Sequence, residues 1–567
     1  MNSVVKSQTH ESTRRGVYRG VSVGGWVYWD KVPQVAIDRI EVVRGSGSDL
    51  YGADALGGVI QLLTMRPERP SVRALVEAGG LGTGRASVFG GGRARAVRYR
   101  AGGEWFSTDG YINVATTQEP GIAPRGPIDT KIGSSHRSGM ASVGYQTSGG
   151  WRLDVNGGVL SENRQNGSPI VINNTASRQA SVEGAGGVGG GLALAHVFGG
   201  TQGYDQTFSA VSPDRTTEDL NRLQHVPTRV VGIGVQWVRS FGRHTVLVGA
   251  EGKFIKGHTQ ETQLSRGRVL GASDNGGTQR TGSAFVQDTF LISDRLTVVA
   301  GAHGDGWHSE SQNTPYSRTL GSFSPRTSFA YRLNGVVSIR GSVYGGFRAP
   351  TLNELYRGFR AGNTQTNPNE ALLPERLKGG DGGVLMARGR LSARVTGFWN
   401  VLDDTITNIT LSTTPQLITK QRANADHMRS AGLELESDVR LAASLSVGFT
   451  SAIVNARFKG DMSLRDNRVP QVPAYNIGVN IRFSHDAWTV SSQVRVTGAQ
   501  FEDDLNLFAL RRATVLDVFA SRRLLGKVTA FVAVENLFDS RYDVGRTPIL
   551  TTGLPRAVRA GVQVWLR

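Results

Sequence analysis

Cysteine is absent from the 567-residue chain, which excludes a disulfide framework, a thiolate metal site and a cysteine nucleophile. Long apolar runs are absent too: charged residues interrupt every window of about 18 residues, the length an apolar helix needs to cross a bilayer. Helical spanning is excluded. Met1–Gly20 is polar and charged, with no apolar core and no small-residue cleavage site, so no signal peptide is read there. The ten histidines are dispersed, and His303 and His308, an odd number apart, face opposite sides of one strand and cannot share a metal. No metal site or cofactor is expected. Gly45-Ser46-Gly47 carries Leu50 where a GxGxxG loop needs glycine, and no Walker sequence occurs. Gly20-Val21-Ser22-Val23-Gly24 fits the GxSxG spelling, but the GGWVYWD that follows is no elbow helix, so the match is read as chance. With no catalytic constellation, the chain is read as a non-enzyme.

The formal net charge is +18. A nucleic-acid binder would gather that charge into a patch or tail, whereas here the arginines are scattered along alternating segments. No nucleic-acid partner is expected. A barrel lumen, or loops lying near an anionic surface glycolipid, would carry the same charge.

What is present is 74 glycines, 38% hydrophobic residues and short clusters of Ser, Thr and Asn, a mixture that suits many strands joined by turns. From about Ser71 onward, segments of about ten residues alternate in polarity and are followed by turn-rich stretches. In Trp488–Thr497, Trp488, Val490, Ser492, Val494 and Val496 share one face. At the C-terminus Val558, Ala560, Val562, Val564 and Leu566 alternate with Arg559, Gln563 and Trp565. His244–Phe254 and Leu296–His303 are similar. The apolar side is largely Val and Ala instead of a packed Leu/Ile/Phe core, and no helical segment intervenes. A closed barrel is the sheet that sits in a bilayer without unpaired edges. The length predicts an all-β fold, a large antiparallel transmembrane barrel of about 20–24 strands. Gly110–Ser135, Gly199–Val226, Ser311–Pro325 and Thr351–Glu375 are expected as extracellular loops, Arg332–Gly335 as a periplasmic turn, and Gly184–Gly191 as loop or loosely packed strand.

The segment before Ser71 differs. Ile37–Arg44 (IDRIEVVR) precedes GSGSDLYGADALGGVIQLLT, ending at Thr64. This predicts a strand, a Gly-rich turn, a helical patch and a second strand: a small α/β unit joined to the barrel by Arg66–Pro70.

Ile37–Gly45, Ser48, Leu50–Gly52 and Gly57–Thr64 resemble the second half of the plug of TonB-dependent outer-membrane receptors, with Ser46 where that family usually has Pro. Three later stretches resemble the family in the expected order. They are Gly346–Pro350 (GFRAP) with Thr351–Tyr356, Asn367–Glu370 and Pro374–Glu375; Gly432–Glu436 (GLELE); and Asn536–Tyr542 (NLFDSRY) with Gly553–Arg556. The likeness runs from about Val21 to the end. It departs at the terminus, where Trp565-Leu566-Arg567 replaces the usual final aromatic, and at the front, where the family's signal peptide, TonB box and first half-plug are not seen. The expectation is a partial plug over residues 1–66 and a barrel over 67–567, N-terminally truncated and therefore not coupled to TonB as written.

The resemblance implies active uptake of a scarce nutrient (siderophore-iron, cobalamin or similar) through the outer membrane of a Gram-negative bacterium into the periplasm. The implied partners are the TonB energy-transducing complex, outer-membrane lipid and lipopolysaccharide, and a small nutrient ligand; the protein is expected to be a monomer. The competing readings are a passive porin-like channel, an outer-membrane hydrolase and a non-transporting remnant. The resemblance further implies a plug–barrel ionic lock of Arg44 with Asp381, in GGDGGV where the family has Glu, and Glu434 in GLELE. The alternative is solvated lumen charges without coupling. Trp26, Tyr28 and Trp29 fall where an apical plug loop would lie, either stacking on a ligand or packing on the wall. Tyr356, Arg357, Phe359 and Arg360 follow GFRAP as further ligand contacts. Residues 351–366 hold no histidine, which argues against haem. Glu502-Asp503-Asp504 could meet a cation, although a solvated loop is the simpler reading.

Overall fold

The computed structural model describes residues 27–120, 122–361, 364–414, 417–460, 463–547 and 549–567. Trp26 and the GxSxG stretch lie outside these residues.

Two units are present. A two-stranded antiparallel sheet pairs β1 (Ile37–Arg44) with β2 (Gly58–Thr64), and between them run the one-turn helix α1 (Ser48–Tyr51) and a 3-10 turn (Gly52–Asp54). From Ser71 on, among the described residues, 22 antiparallel strands form a closed barrel. It closes where Ser71–Gly79 pairs with Ala557–Leu566, with Val72 opposite Leu566 and Gly79 opposite Arg559. Closure satisfies every edge in a medium that offers no water to backbone groups.

The alternation behaves as the sequence predicts. Along Glu218–Phe241, Val231, Ile233 and Val235 are 55%, 54% and 49% exposed, whereas Thr228 and Val230, of opposite parity, are buried by the curve of the wall. Outward residues are therefore apolar, and in water they would be a cost; in lipid each is a gain. Inward residues are polar: Asp154, Asn156 and Glu162 on one strand, Arg98, Arg100 and Glu104 on another. Near the closure, Trp565 lies between Arg73 and Arg567, whose guanidiniums sit 4.2 Å and 3.8 Å from its ring.

Two segments expected as loops are mostly strand. Gly199–Val226 contains only a short turn, 212–217, between Gly191–Val211 and Glu218–Phe241, and Ser311–Pro325 is strand from Ser317 onward. Their composition is polar because these strands, up to 25 residues long, continue well past the roughly 9–11 residues that cross a bilayer. The turn Arg332–Gly335 is present, and Gly184–Gly191 is strand to Val188 followed by Gly189 and Gly190 at φ 56° and 73°. Two consecutive positive φ values make the tight turn that matches strand twist, and glycine adopts them without strain.

Candidate functional site

The plug unit is clamped to the inner wall at several points around the circumference. Arg100 donates to Thr64 Oγ1 at 2.9 Å and to the Met65 carbonyl at 3.1 Å. The Gln34 amide donates to Glu104 at 2.9 Å, while Val32, Val35 and Ala36 pack on Leu75, Phe89 and Met140. Arg326 donates to the Ser46 carbonyl at 2.6 Å and stands 3.8 Å from Asp49. Lys253 pairs with Asp54. Gly52, the glycine of Leu50-Tyr51-Gly52, presses its bare Cα against His303 and Asp305, both buried.

Of the three residues expected to form the lock, the structure brings Arg44 and Glu434 together and leaves Asp381 apart. Arg44, at the end of β1, pairs with Glu434 at 2.8 Å and with Glu436. Asp381 takes no part and accepts a hydrogen bond from Ser342 on the neighbouring strand. The reason is register. Asp381 faces Phe398, which faces Gly432, so Asp381 sits two strands, about 10 Å, from the row that holds the glutamates, and an aspartate is too short to span that gap. Glu434 and Glu436 are two apart on one strand and so share the lumen face. The alternation of GLELE contained that information.

Arg44 is 55% exposed, so each contact is worth no more than about 1 kcal/mol. Its guanidinium is raised: burial lowers it, but the hydrogen bonds and charges of Glu434 and Glu436 outweigh that. Contacts of that strength are individually weak. Arg44→Gln, which removes both contacts, is expected to speed proteolysis of the plug hairpin by up to about thirtyfold, and high salt should do the same to the wild type but not to the variant. An effect many times larger would show that the pair, and not the remaining clamps, seats the plug.

Above the plug, toward the long loops, the strand Val337–Arg348 ends in GFRAP and α2 (Leu352–Tyr356) turns into the lumen. Thr351 and Glu354 form a reciprocal capping box, legible in the spelling Thr351-Leu352-Asn353-Glu354. Arg348 donates to both Glu354 oxygens, at 3.0 Å and 3.1 Å, and also pairs with Glu375. Glu375 in turn accepts the Ile406 amide at 2.8 Å, tying the loop to the strand Leu391–Thr413. Burial raises the Glu354 carboxyl, but the Arg348 charge and the hydrogen bonds from Arg348 and Thr351 hold it below its ordinary value.

The sequence-named residues divide here. Tyr356 and Arg357 are 5% and 4% exposed. Arg357 donates to Gln224 at 3.0 Å and Gln206 at 3.1 Å and lies 5.2 Å from the Tyr204 ring. Burial lowers its guanidinium despite the favourable neighbours Tyr204 and Tyr28. These two residues hold the loop in place instead of facing open solvent. Phe359 and Arg360 are partly exposed, with Arg422 stacked 5.4 Å from the Phe359 ring. In the plug, Tyr28 is partly buried, hydrogen-bonded to Thr175 and near Tyr204, Glu162 and Arg164; burial raises its phenol. Trp29 remains 44% exposed. Neighbouring residues thus differ: Tyr28 packs near the wall, and Trp29 keeps its ring exposed.

Glu502-Asp503-Asp504 is neither solvated nor free for a cation. Asp503 accepts the Leu507 and Phe508 amides at 3.0 Å and 2.8 Å, and Asp504 accepts the Thr410 amide at 2.9 Å. Sequence reading missed Asp504, Glu375, Gln206 and Gln224 as loop anchors because their partners lie far apart in the chain.

Residues 82–537 match the family described as TonB dependent receptor-like, beta-barrel. The chain belongs to the TonB-dependent receptor family. The receptor is 23% identical, over 94% of its length and 80% of the relative's, to the iron-regulated outer membrane virulence protein of Vibrio cholerae serotype O1. It is also 23% identical, over 93% of its length and 80% of the relative's, to the vitamin B12 transporter BtuB of Photobacterium profundum. Among solved structures, the copper transporter OprC superposes with a TM-score of 0.80 at 14% identity, over 94% of the receptor and 86% of OprC. The ferric yersiniabactin uptake receptor FyuA of Yersinia pestis does so with 0.73 at 16%, over 94% and 85%. These likenesses establish a shared fold and an outer-membrane location.

Proposed function

We propose that the receptor takes up a scarce chelated nutrient, a siderophore-iron complex, cobalamin or a similar solute, into the periplasm. Energy comes from the TonB complex, the barrel acts as a monomer, and the protein catalyses no reaction. In this reading residues 1–66 belong to the plug and 67–567 to the barrel. Two relatives bear names that speak of iron regulation and of vitamin B12 transport; both ligand classes offer flat or conjugated surfaces to an aromatic ring. The observation that carries the reading is the pairing of a plug held by a weak, exposed ion pair with an exposed aromatic, Trp29, and a loop whose Phe359 and Arg360 stay partly accessible. A passive channel needs neither. Trp26, outside the described residues, is proposed to join this contact set.

Calorimetric titration of the purified receptor with ferric catecholate, ferric hydroxamate and cyanocobalamin tests the ligand class. Trp29→Ala is expected to weaken the bound ligand by about 2–10-fold, while the variant keeps the heat-modifiable mobility of a folded barrel. Uptake of that ligand in cells should stop when an uncoupler collapses the inner-membrane gradient. Uptake that continues unchanged would identify a passive channel instead.

A further inference from the structure

The net charge of +18 is spread unevenly along the barrel axis. At the loop end, cations meet carboxylates: Arg215 pairs with Asp129, Arg348 with Glu354 and Glu375, Lys459 with Asp466 and Arg511 with Asp543. The opposite, periplasmic end is made of turns only a few residues long, and there the cations stand without such partners. Arg95 lies in the turn after Thr83–Ala94, Arg243 after Glu218–Phe241, Arg295 after Arg268–Leu291, Arg390 after Glu375–Arg388 and Lys527 after Ala513–Leu524. All five are exposed, and among the described residues none has a carboxylate within 4 Å. Strand ends add Arg332, Arg440 and Arg523 to the same rim, against Asp294 and Asp486.

These turn cations lie past the lipid. Arg239 stacks 4.5 Å from the Phe241 ring, Arg522 5.2 Å from Trp488 and Arg567 3.8 Å from Trp565. Those rings, at the strand ends, mark the interfacial level where the aromatic girdle of a membrane barrel sits, and the turns lie beyond it. Two of the turn cations are also held in the plane of the rim. Arg243 donates to the Ile292 carbonyl at 2.8 Å and Arg390 to the Leu441 carbonyl at 3.3 Å, each at the neighbouring turn. A guanidinium has five donors, so one such bond fixes its place and leaves others for an acceptor from outside the chain.

Spacing decides what kind of partner fits. Adjacent turns stand two strands apart, about 10 Å, which is about one Debye length at physiological salt. Each cation therefore acts nearly alone on a small ion, whereas an extended polyanion engages many of them together. The rim of a 22-stranded barrel is about 40 Å across and surrounds the exit that the plug closes. A compact acidic protein would touch only an arc of it or cover the exit. We infer that the periplasmic rim rests on an extended carboxylate-bearing polymer, of the chemistry of the acidic stem peptides in the cell wall beneath the outer membrane. Arginine's planar fork matches a carboxylate, and a ring of separate cations leaves the centre of the mouth open.

Co-sedimentation of the intact receptor, held in nanodiscs of neutral phosphatidylcholine, with protein-free cell-wall sacculi tests this. The wild type is expected to pellet at low salt and to be released by about 1 M NaCl, where the Debye length is about 3 Å. The rim variant R95Q/R243Q/R295Q/R390Q/K527Q should bind at least about tenfold less tightly, and so should the wild type on sacculi whose carboxyls have been amidated. The control R229Q/R266Q/R268Q/R376Q/K378Q removes the same charge from exposed positions on the outer wall and at the loop end, and should bind like the wild type. Heat-modifiable mobility reports that each variant is folded. Undiminished binding by the rim variant overturns the inference; if native mass spectrometry shows that variant losing bound phosphatidylglycerol instead, the rim serves inner-leaflet headgroups. An equal loss in the control would reveal a net-charge effect only, and equal binding to amidated sacculi would remove the carboxylates from the account; either result overturns the proposal. No transport step enters the measurement, so its outcome is independent of the uptake reading.

Discussion

Replacing Arg348 with methionine is expected to free the loop 349–374 from the barrel wall while leaving the barrel closed. Arg348 is 20% exposed at its side chain and neutralises two carboxylates, Glu354 and Glu375, which are themselves largely buried. Removing the cation strands both charges, and breaking a buried pair from one side costs about 3–5 kcal/mol. Taking the lower figure because Arg348 keeps some solvent contact, cleavage within 349–374 by a protease should accelerate by about 100-fold. Heat-modifiable mobility should be unchanged. An unchanged cleavage rate would mean that the carboxylates find another partner, and Arg422, which bonds the Arg357 carbonyl at 2.9 Å, is the cation at hand. The sign of the pH dependence follows from Glu354. Its folded carboxyl lies below the ordinary value of 4.5, so its contribution is complete above that pH. It is lost as pH falls through the lower, folded value. At neutral pH the anchor stands.

Gly52→Val is expected to unseat the plug. Gly52 has φ 63° and ψ −150°, a region that side-chain-bearing residues scarcely enter, at a cost of about 1–3 kcal/mol. A Cβ there would also lie 2.9 Å from His303 Nε2 and 3.1 Å from Asp305 Oδ1, in a buried corner with no room to yield. Overpacking of that kind adds about 1–3 kcal/mol. Together these exceed the Arg44 latch, so the hairpin should become protease-sensitive and small solutes should leak through the barrel in reconstituted vesicles. Gly57→Val is the control, since nothing stands within 4 Å of its Cβ position. If Gly52→Val leaves the vesicles as tight as the control does, the corner at His303 is not what holds the plug.

These two residues also show where sequence reasoning reached and where it stopped. Gly52 was legible as part of Leu50-Tyr51-Gly52, a motif placed by resemblance, but its need for glycine comes from a histidine about 250 positions away. Arg348 lies inside GFRAP and Glu354 inside a capping box, both readable locally. That they meet, and that Glu375 joins them, depends on how the strands Val337–Arg348 and Glu375–Arg388 pair. The Arg44 lock shows the same limit. The family likeness named Arg44, Glu434 and Asp381, whereas the structure pairs Arg44 with Glu434 and Glu436.

What the sequence by itself determined is the class of molecule. Alternation at period two, without cysteine, helical spans or a catalytic cluster, specifies a barrel whose outside meets lipid and whose inside meets water, because the pleat sends successive side chains to opposite faces. What only the tertiary structure decided is which distant side chains meet: Arg44 with Glu434 and Glu436, and Gly52 with His303. Parity along one strand is a local property of the backbone. Position across strands depends on the register of each pair in turn, and a shift of two residues in any one of them preserves the polarity pattern while changing every partner beyond it.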